Sequence, residues 1–192
     1  MNPPAPSEAP RPARGASSLP APRGDLKRVA LTRKFAFAPV VATDTRILIL
    51  GSLPGEASLA AQRYYAHPHN QFWRLLGAVL GIELATLDYD ARLHAVRRAG
   101  IGLWDTVASA RRQGSLDAAL REVEGAALGE LVSTLPELRA IGFNGATSAR
   151  LGRKALRDTS LALIDLPSSS PAYAAMPVAG KAQIWGRVRE FL

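Results

Sequence analysis

The sequence predicts an α/β protein whose central sheet is parallel, four-stranded and covered by helices on both faces. Two observations predict it. Short β-rich runs alternate with stretches of helical period, the pattern that buries a parallel sheet between helices. Each of the four runs also stops at a cluster of Gly, Pro, Ser, Asn or Asp, the residues that end strands and build loops.

The elements follow in chain order. Residues 1–28 are expected to be a disordered Pro/Ala/Arg-rich tail, because they hold seven of the 14 prolines and too few apolar groups to offset ordering entropy. Residues 29–192 are then the folded domain. Residues 46–50 read as a strand that runs into the loop Gly51-Ser-Leu-Pro-Gly55. Residues 70–80 read as a helix, since Phe72, Leu75, Leu76, Val79 and Leu80 follow the i, i+3, i+4, i+7, i+8 pattern. Asn70 suits its N-cap and Gly81 its stop. Residues 90–99 form a second helix, 101–107 a strand, and 115–123 and 127–135 two further helices. A strand at 139–143 ends in Asn144-Gly145, a helix covers 146–156, and a strand covers 161–166. A Ser- and Pro-rich loop at 167–177 precedes a closing helix at 180–192. Ligand sites in such sheets lie beyond the carboxyl ends of the strands. The loops at Gly51–Gly55, Trp104-Asp105, Asn144-Gly145 and 167–174 should therefore converge.

Composition narrows the chemistry. The 192 residues contain no cysteine, which excludes disulfides, thiolate metal sites, iron–sulfur clusters and a cysteine nucleophile. The formal net charge is +8, and a polyanionic partner is its first physical reading. Five basic and two acidic residues lie in the first 28, so the domain keeps five of the eight excess charges. No apolar run approaches the ~20 residues of a membrane helix, and the N-terminus has no apolar signal core. The expected location is the cytoplasm, in association with the nucleoid.

Several motif classes fail. Gly51-Ser-Leu-Pro-Gly55 is neither a phosphate loop nor a dinucleotide fingerprint, and Pro54 removes an amide donor. His67 and His69 flank Pro68, but His94 lies far along the chain and no third ligand of zinc-binding type stands near the pair. No Gly-x-Ser-x-Gly elbow exists. Arg111, Arg112 and the arginines of 150–157 read as solvated faces, with phosphate contact the alternative for some of them. The dense stretch is Tyr64-Tyr65-Ala-His-Pro-His-Asn70-Gln-Phe-Trp73. Phe72 and Trp73 suit a helix start facing the core, whereas paired tyrosines before that helix suit a platform on which a base stacks.

These residues resemble the uracil-DNA glycosylase superfamily, and within it the hypoxanthine-DNA (deoxyinosine) glycosylase branch. Gly51-Ser-Leu-Pro-Gly55, Tyr64-Tyr65-Ala-His67-Pro-His-Asn70-Gln-Phe-Trp73, Leu103-Trp104-Asp105 and Leu166-Pro-Ser-Ser-Ser-Pro-Ala172 match that branch in order and spacing. The likeness runs from about Phe35 to Leu192. It implies a three-layer α/β/α sandwich and a monofunctional enzyme that flips a deaminated base, hypoxanthine or uracil, from DNA and hydrolyses its glycosidic bond. It implies no metal, no cofactor and a monomer acting on double- or single-stranded DNA.

The resemblance also assigns residues. Asn70 is implied as the catalytic group, because the first-motif position where many relatives hold Asp or Asn is taken here by Ser52 or Leu53. Tyr65 is implied as the stacking aromatic. Ser52, Leu53 and Gly55 would line the base pocket, and Asp105 would either read the base edge or serve as a structural acceptor at a strand end. Ser168, Ser169 and Ser170 would meet phosphates around the lesion, with Ala172 and Tyr173 filling the gap that the base leaves. The competing expectation is a DNA-binding relative without catalysis, since the usual acid of the first motif is absent.

Overall fold

A computed structural model describes Met1 and Leu31–Leu192. The expected tail of residues 1–28 lies outside the described residues.

Four strands form the parallel sheet, in the spatial order 101–105, 47–51, 140–144, 162–166. They are β2 (Ile47–Gly51), β3 (Ile101–Asp105), β6 (Ala140–Asn144) and β7 (Ala162–Leu166). β2 is buried along its whole length, which explains its unbroken Ile-Leu-Ile-Leu run. Its alternating side chains feed two separate cores. Ile47 and Ile49 pack with α2 (Phe72–Leu80), α3 (Tyr89–Arg98) and α6 (Val178–Trp185), through residues such as Phe72, Leu76, Val96 and Trp185. Leu48 and Leu50 pack on the other side with α4 (Leu128–Ser133) and with Leu156, just past α5 (Ala146–Ala155). Two cores on one sheet make three layers. Ser148 donates to the Leu50 carbonyl at 2.7 Å, fixing α5 against the central strand.

A second sheet departs from the expected plan. It is antiparallel, three-stranded and ordered β1-β4-β5, from β1 (Arg33–Phe35), β4 (Val107–Arg111) and β5 (Arg121–Gly125). The single strand expected over 101–107 breaks at Thr106, where the chain leaves the parallel sheet for the antiparallel one. Thr106 N–H donates to the Gly51 carbonyl and Val107 N–H to that of Ser52, so the crossing is pinned to the end of β2. The helix expected over 115–123 is instead a 3-10 turn at Asp117–Ala119 followed by β5. Every residue of β5 is exposed, so the strand has no buried face to give it a period-two signature. The closing helix stops at Trp185 and continues as 3-10 turns over Gly186–Phe191. A short helix at Glu56–Ala61, α1, was not expected at all.

Candidate active site

The sheet register sets the site. Gly51 pairs with Asp105, Leu50 with Phe143 and Asn144 with Leu166, so the carboxyl ends of all four parallel strands stand in one row. Above that row lies a cavity of about 400 Å³. All eleven residues singled out in the sequence line it: Asn70; Ser52, Leu53, Gly55, Tyr65 and Asp105; Ser168, Ser169, Ser170, Ala172 and Tyr173.

Its floor holds two buried polar atoms without a hydrogen-bond partner among the described residues, Tyr65 Oη and Asp105 Oδ2. Gly51 sits between them. A Cβ there would run into Asp105 Oδ1 and come within 3.2 Å of Tyr65 Oη, so only glycine lets both groups approach the strand end. Asp105 is 3% exposed. Burial, then the negative charge of Asp117, push its carboxyl up to about 7 against the opposing pull of Arg112. Burial and the charge of Asp105 raise the Tyr65 phenol, which stays protonated.

Tyr65 adopts a left-handed backbone conformation, φ +52°, unusual for a bulky residue. Its ring stacks on Phe72 with centroids 3.6 Å apart and planes 9° from parallel. One face of the ring is thus covered by Phe72. Tyr64 belongs to the core instead: it is 4% exposed and donates to the Ala38 carbonyl at 3.1 Å. The N-cap of α2 is Gln71, one residue later than expected, and its side chain makes no cap bond; Asn70 Oδ1 instead accepts the N–H of Phe72 at 3.0 Å from one residue further back, which orients the amide. The histidine pair has a local use, His69 N–H donating to His67 Nδ1 at 3.2 Å.

The late loop is tied to the same place. Asn144 Nδ2 donates to Ser169 Oγ at 2.9 Å, and Ser169 N–H returns a bond to Asn144 Oδ1 at 2.8 Å. Gln71 N–H donates to the Ser169 carbonyl at 3.0 Å, joining this loop to the segment that carries Asn70. Ser169 is therefore buried, while Ser168 and Ser170 are half-buried and Ala172 and Tyr173 exposed. Ser168 Oγ and Ser170 Oγ accept the N–H groups of Ser170 and Ala172, which leaves their own protons for other acceptors.

Comparison with known proteins bears directly on this arrangement. A profile of the uracil DNA glycosylase superfamily matches residues 38–189, which include the whole parallel sheet and every cavity residue above. The chain belongs to the uracil DNA glycosylase superfamily. A hypoxanthine DNA glycosylase of Methanosarcina barkeri is 42% identical over 116 residues, 60% of this chain and 73% of that one. A hypoxanthine DNA glycosylase of Methanosarcina acetivorans is 38% identical over 139 residues, 72% of this chain and 87% of that one. The solution NMR structure of a Methanosarcina acetivorans protein described as a candidate uracil DNA glycosylase superposes with a TM-score of 0.75 at 34% identity, covering 83% of this chain and 99% of that one.

Several groups around the cavity were not expected. Arg112 is no solvated residue: it is 1% exposed, and its guanidinium donates to the carbonyls of Leu53, at 3.4 Å, and Pro54. It clasps the Gly51–Gly55 loop from behind. Ser115 Oγ accepts the Glu56 N–H at 2.9 Å, and Ser52 Oγ donates to Asp117 Oδ1 at 2.7 Å. The β4–β5 hairpin thus supplies a wall, Ser115 to Asp117, that the misread helix hid. Lys181 on α6 is fully buried and donates to Gln71 Oε1 at 2.9 Å and to the Tyr173 carbonyl at 2.8 Å. It is absent from the cavity lining. No sequence pattern marks these partners, because each acts across at least 58 residues or from within a segment read as a helix.

Proposed function

We propose that the protein is a monofunctional DNA glycosylase of base excision repair, which flips a deaminated base, hypoxanthine or uracil, out of DNA and hydrolyses its N-glycosidic bond. The observation that carries this reading is the gathering of Asn70, Tyr65 and Asp105 in one cavity at the strand ends, beside the Ser168–Tyr173 loop.

The bond dictates the chemistry. The C1′–N bond breaks with both electrons leaving on the base, and the sugar becomes cation-like. Water then bonds C1′, and the proton it sheds neutralises the departing base. A cation-like sugar needs only a weak nucleophile held in line, so an oriented amide suffices. The second lone pair of Asn70 Oδ1 is free to hold that water, the first being fixed by Phe72 N–H. The free face of Tyr65 stacks the base, worth ~1–3 kcal/mol. The buried Asp105 carboxyl meets its polar edge. Among the described residues no lysine lines the cavity, Lys181 is committed to Gln71 and Tyr173, and Lys34 to Glu56 and the Gly114 carbonyl, which favours hydrolysis over a Schiff base.

The DNA path follows from charge. A trough of about 810 Å³ adjoins the cavity and shares Tyr65, His67, Asn70, Pro171 and Tyr173 with it. It is lined by Arg74, Arg92, His67 and His69 and by no carboxylate, a surface suited to phosphates. Tyr173, 38% exposed at the shared edge, is placed to fill the gap in the stack.

The test is a set of labelled duplexes, each with one hypoxanthine, uracil or xanthine, treated with protein and then with alkali to cleave abasic sites. Strand cleavage is expected. A retarded DNA band with no cleavage on any lesion would show a binder that has lost catalysis.

A further inference from the structure

The β4–β5 hairpin brings a second carboxylate to the cavity. Asp117 lies on the 3-10 turn of that hairpin and lines the same space as Asp105. Ser52 Oγ donates to its Oδ1 at 2.7 Å, and Arg112 Nη1 stands 3.8 Å from the same oxygen. A hydroxyl has one proton and two lone pairs, and an ionised carboxylate only accepts. With its proton committed to Asp117, Ser52 offers the cavity lone pairs alone. Asp105 has the opposite character. The charged and titratable groups that bear on it are Asp117 and Arg112 from the hairpin side, with the Tyr64 and Tyr65 phenols from the segment before α2. The nearby charge of Asp117 works with burial to keep a proton on Asp105 up to about pH 7, so its carboxyl can donate as well as accept.

We propose that Asp117 determines base specificity: it makes Ser52 an acceptor and Asp105 a donor, so that the cavity fits the ring N–H and adjacent C=O of a deaminated base. Adenine and cytosine present the reverse, a bare ring nitrogen beside an amino group, and meet an acceptor at the nitrogen and a donor at the amine. Hypoxanthine, uracil and xanthine share the accepted edge. The inference rests on the glycosylase reading above and assigns its selectivity to a residue that itself need not touch the sugar. A site polarised in this way rejects the wrong edge strongly, because a buried polar group is left facing its like.

Two variants separate the two effects. Asp117→Ala frees the Ser52 hydroxyl to turn and donate. Asp117→Asn keeps an acceptor for that hydroxyl but removes the charge that acts on Asp105. The probes are duplexes with one hypoxanthine or one unsubstituted purine, the latter lacking both the C6 oxygen and the N1 hydrogen. In single-turnover excision, Asp117→Ala should lower the hypoxanthine-to-purine rate ratio by roughly tenfold or more, the worth of one charge-assisted hydrogen bond. Binding to a duplex with a tetrahydrofuran abasic analogue should be unchanged. In Asp117→Asn the alkaline limb of the hypoxanthine pH–rate profile should move to lower pH by roughly one unit. Carboxyl-carbon NMR of the free protein should show the Asp105 midpoint moving with it. Equal losses on both bases, with Asp105 titrating unchanged, would overturn the proposal and leave Asp117 a strut for the Ser52 loop. A wild-type protein that excises nothing would instead remove the glycosylase reading, and this role with it.

Discussion

The side-chain oxygen of Asn70 accepts the N–H of Phe72 at 3.0 Å, so any substitution there changes both the start of α2 and the proposed water site. Asn70→Ala loses that side-chain bond, at ~1 kcal/mol, which a domain stable by ~5–15 kcal/mol tolerates. We expect a folded protein by circular dichroism that binds lesion DNA and excises roughly 10²–10⁴-fold more slowly under single turnover. A folded variant within about threefold of the parent rate would move catalysis to Asp105. Asp105 offers a separate measurement. Its carboxyl is raised from 3.8 to about 7 by burial and Asp117, so the folded state holds a proton that the unfolded state releases. Stability is then present below the unfolded value and is lost as pH rises from there through the folded value. Asp105→Asn, neutral at every pH, should remove that slope. It should be more stable than the parent at pH 8 by about 2–4 kcal/mol in urea unfolding, while losing activity. An unchanged stability–pH curve would show that Asp105 is ionised in the folded protein.

Among elements, α5 shows how packing overrules propensity. Gly152 is an odd choice inside a helix, where alanine is better by about 1 kcal/mol. Its face, however, rests on the Phe143 ring of β6, and a Cβ would collide with Cε1 and lie 3.0 Å from Cζ. Gly152→Ala should therefore destabilise the domain by about 1–3 kcal/mol despite the propensity gain, and a raised melting temperature would contradict that. The same contrast separates what the sequence discloses from what it hides. The parallel sheet, its helices and the meeting of the four motifs were legible, because β2 has an unbroken buried run and α2 a clear apolar face. The three-stranded sheet was not. Arg121–Gly125 has no buried side, and Asp117–Ala119 holds helix-forming residues in a turn fixed from outside by Ser52 and Arg112. In the cavity, residues inside the motifs were readable and those that hold the motifs were not. Arg112 reads as a surface cation until its bonds to Leu53 and Pro54 are seen.

At the scale of the molecule, charge is divided by place. The trough beside the cavity carries Arg74, Arg92 and two histidines, while both carboxylates of the site, Asp105 and Asp117, face the cavity itself. Phosphates are drawn to the rim and the base is left to the pocket. Duplex affinity across a salt series should fall with a log–log slope of about −3 to −5, as a few phosphate contacts release their counterions. A flat slope would remove the electrostatic part of the argument.

Thr106, the single residue between β3 and β4, has a kinetic consequence. Its N–H and that of Val107 bond the Gly51 and Ser52 carbonyls, so the wall of the cavity is continuous with the end of the central strand. The base of that wall cannot open without breaking the end of β2, which is buried along its whole length, whereas its tip, Ser115 to Asp117, is held through the side chains of Ser52, Ser115 and Asp117. The opposite wall, from Ser168 to Tyr173, is hung on Asn144, Gln71 and Lys181, all side-chain or single main-chain tethers. Breathing of the pocket is therefore confined to the serine loop and the hairpin tip. Amide deuteration should be fast at Ala172 and Ala174 and should reach Thr106 and Val107 only through openings near the global unfolding free energy. A nucleotide waits on the motion of these two rims, above a fixed floor.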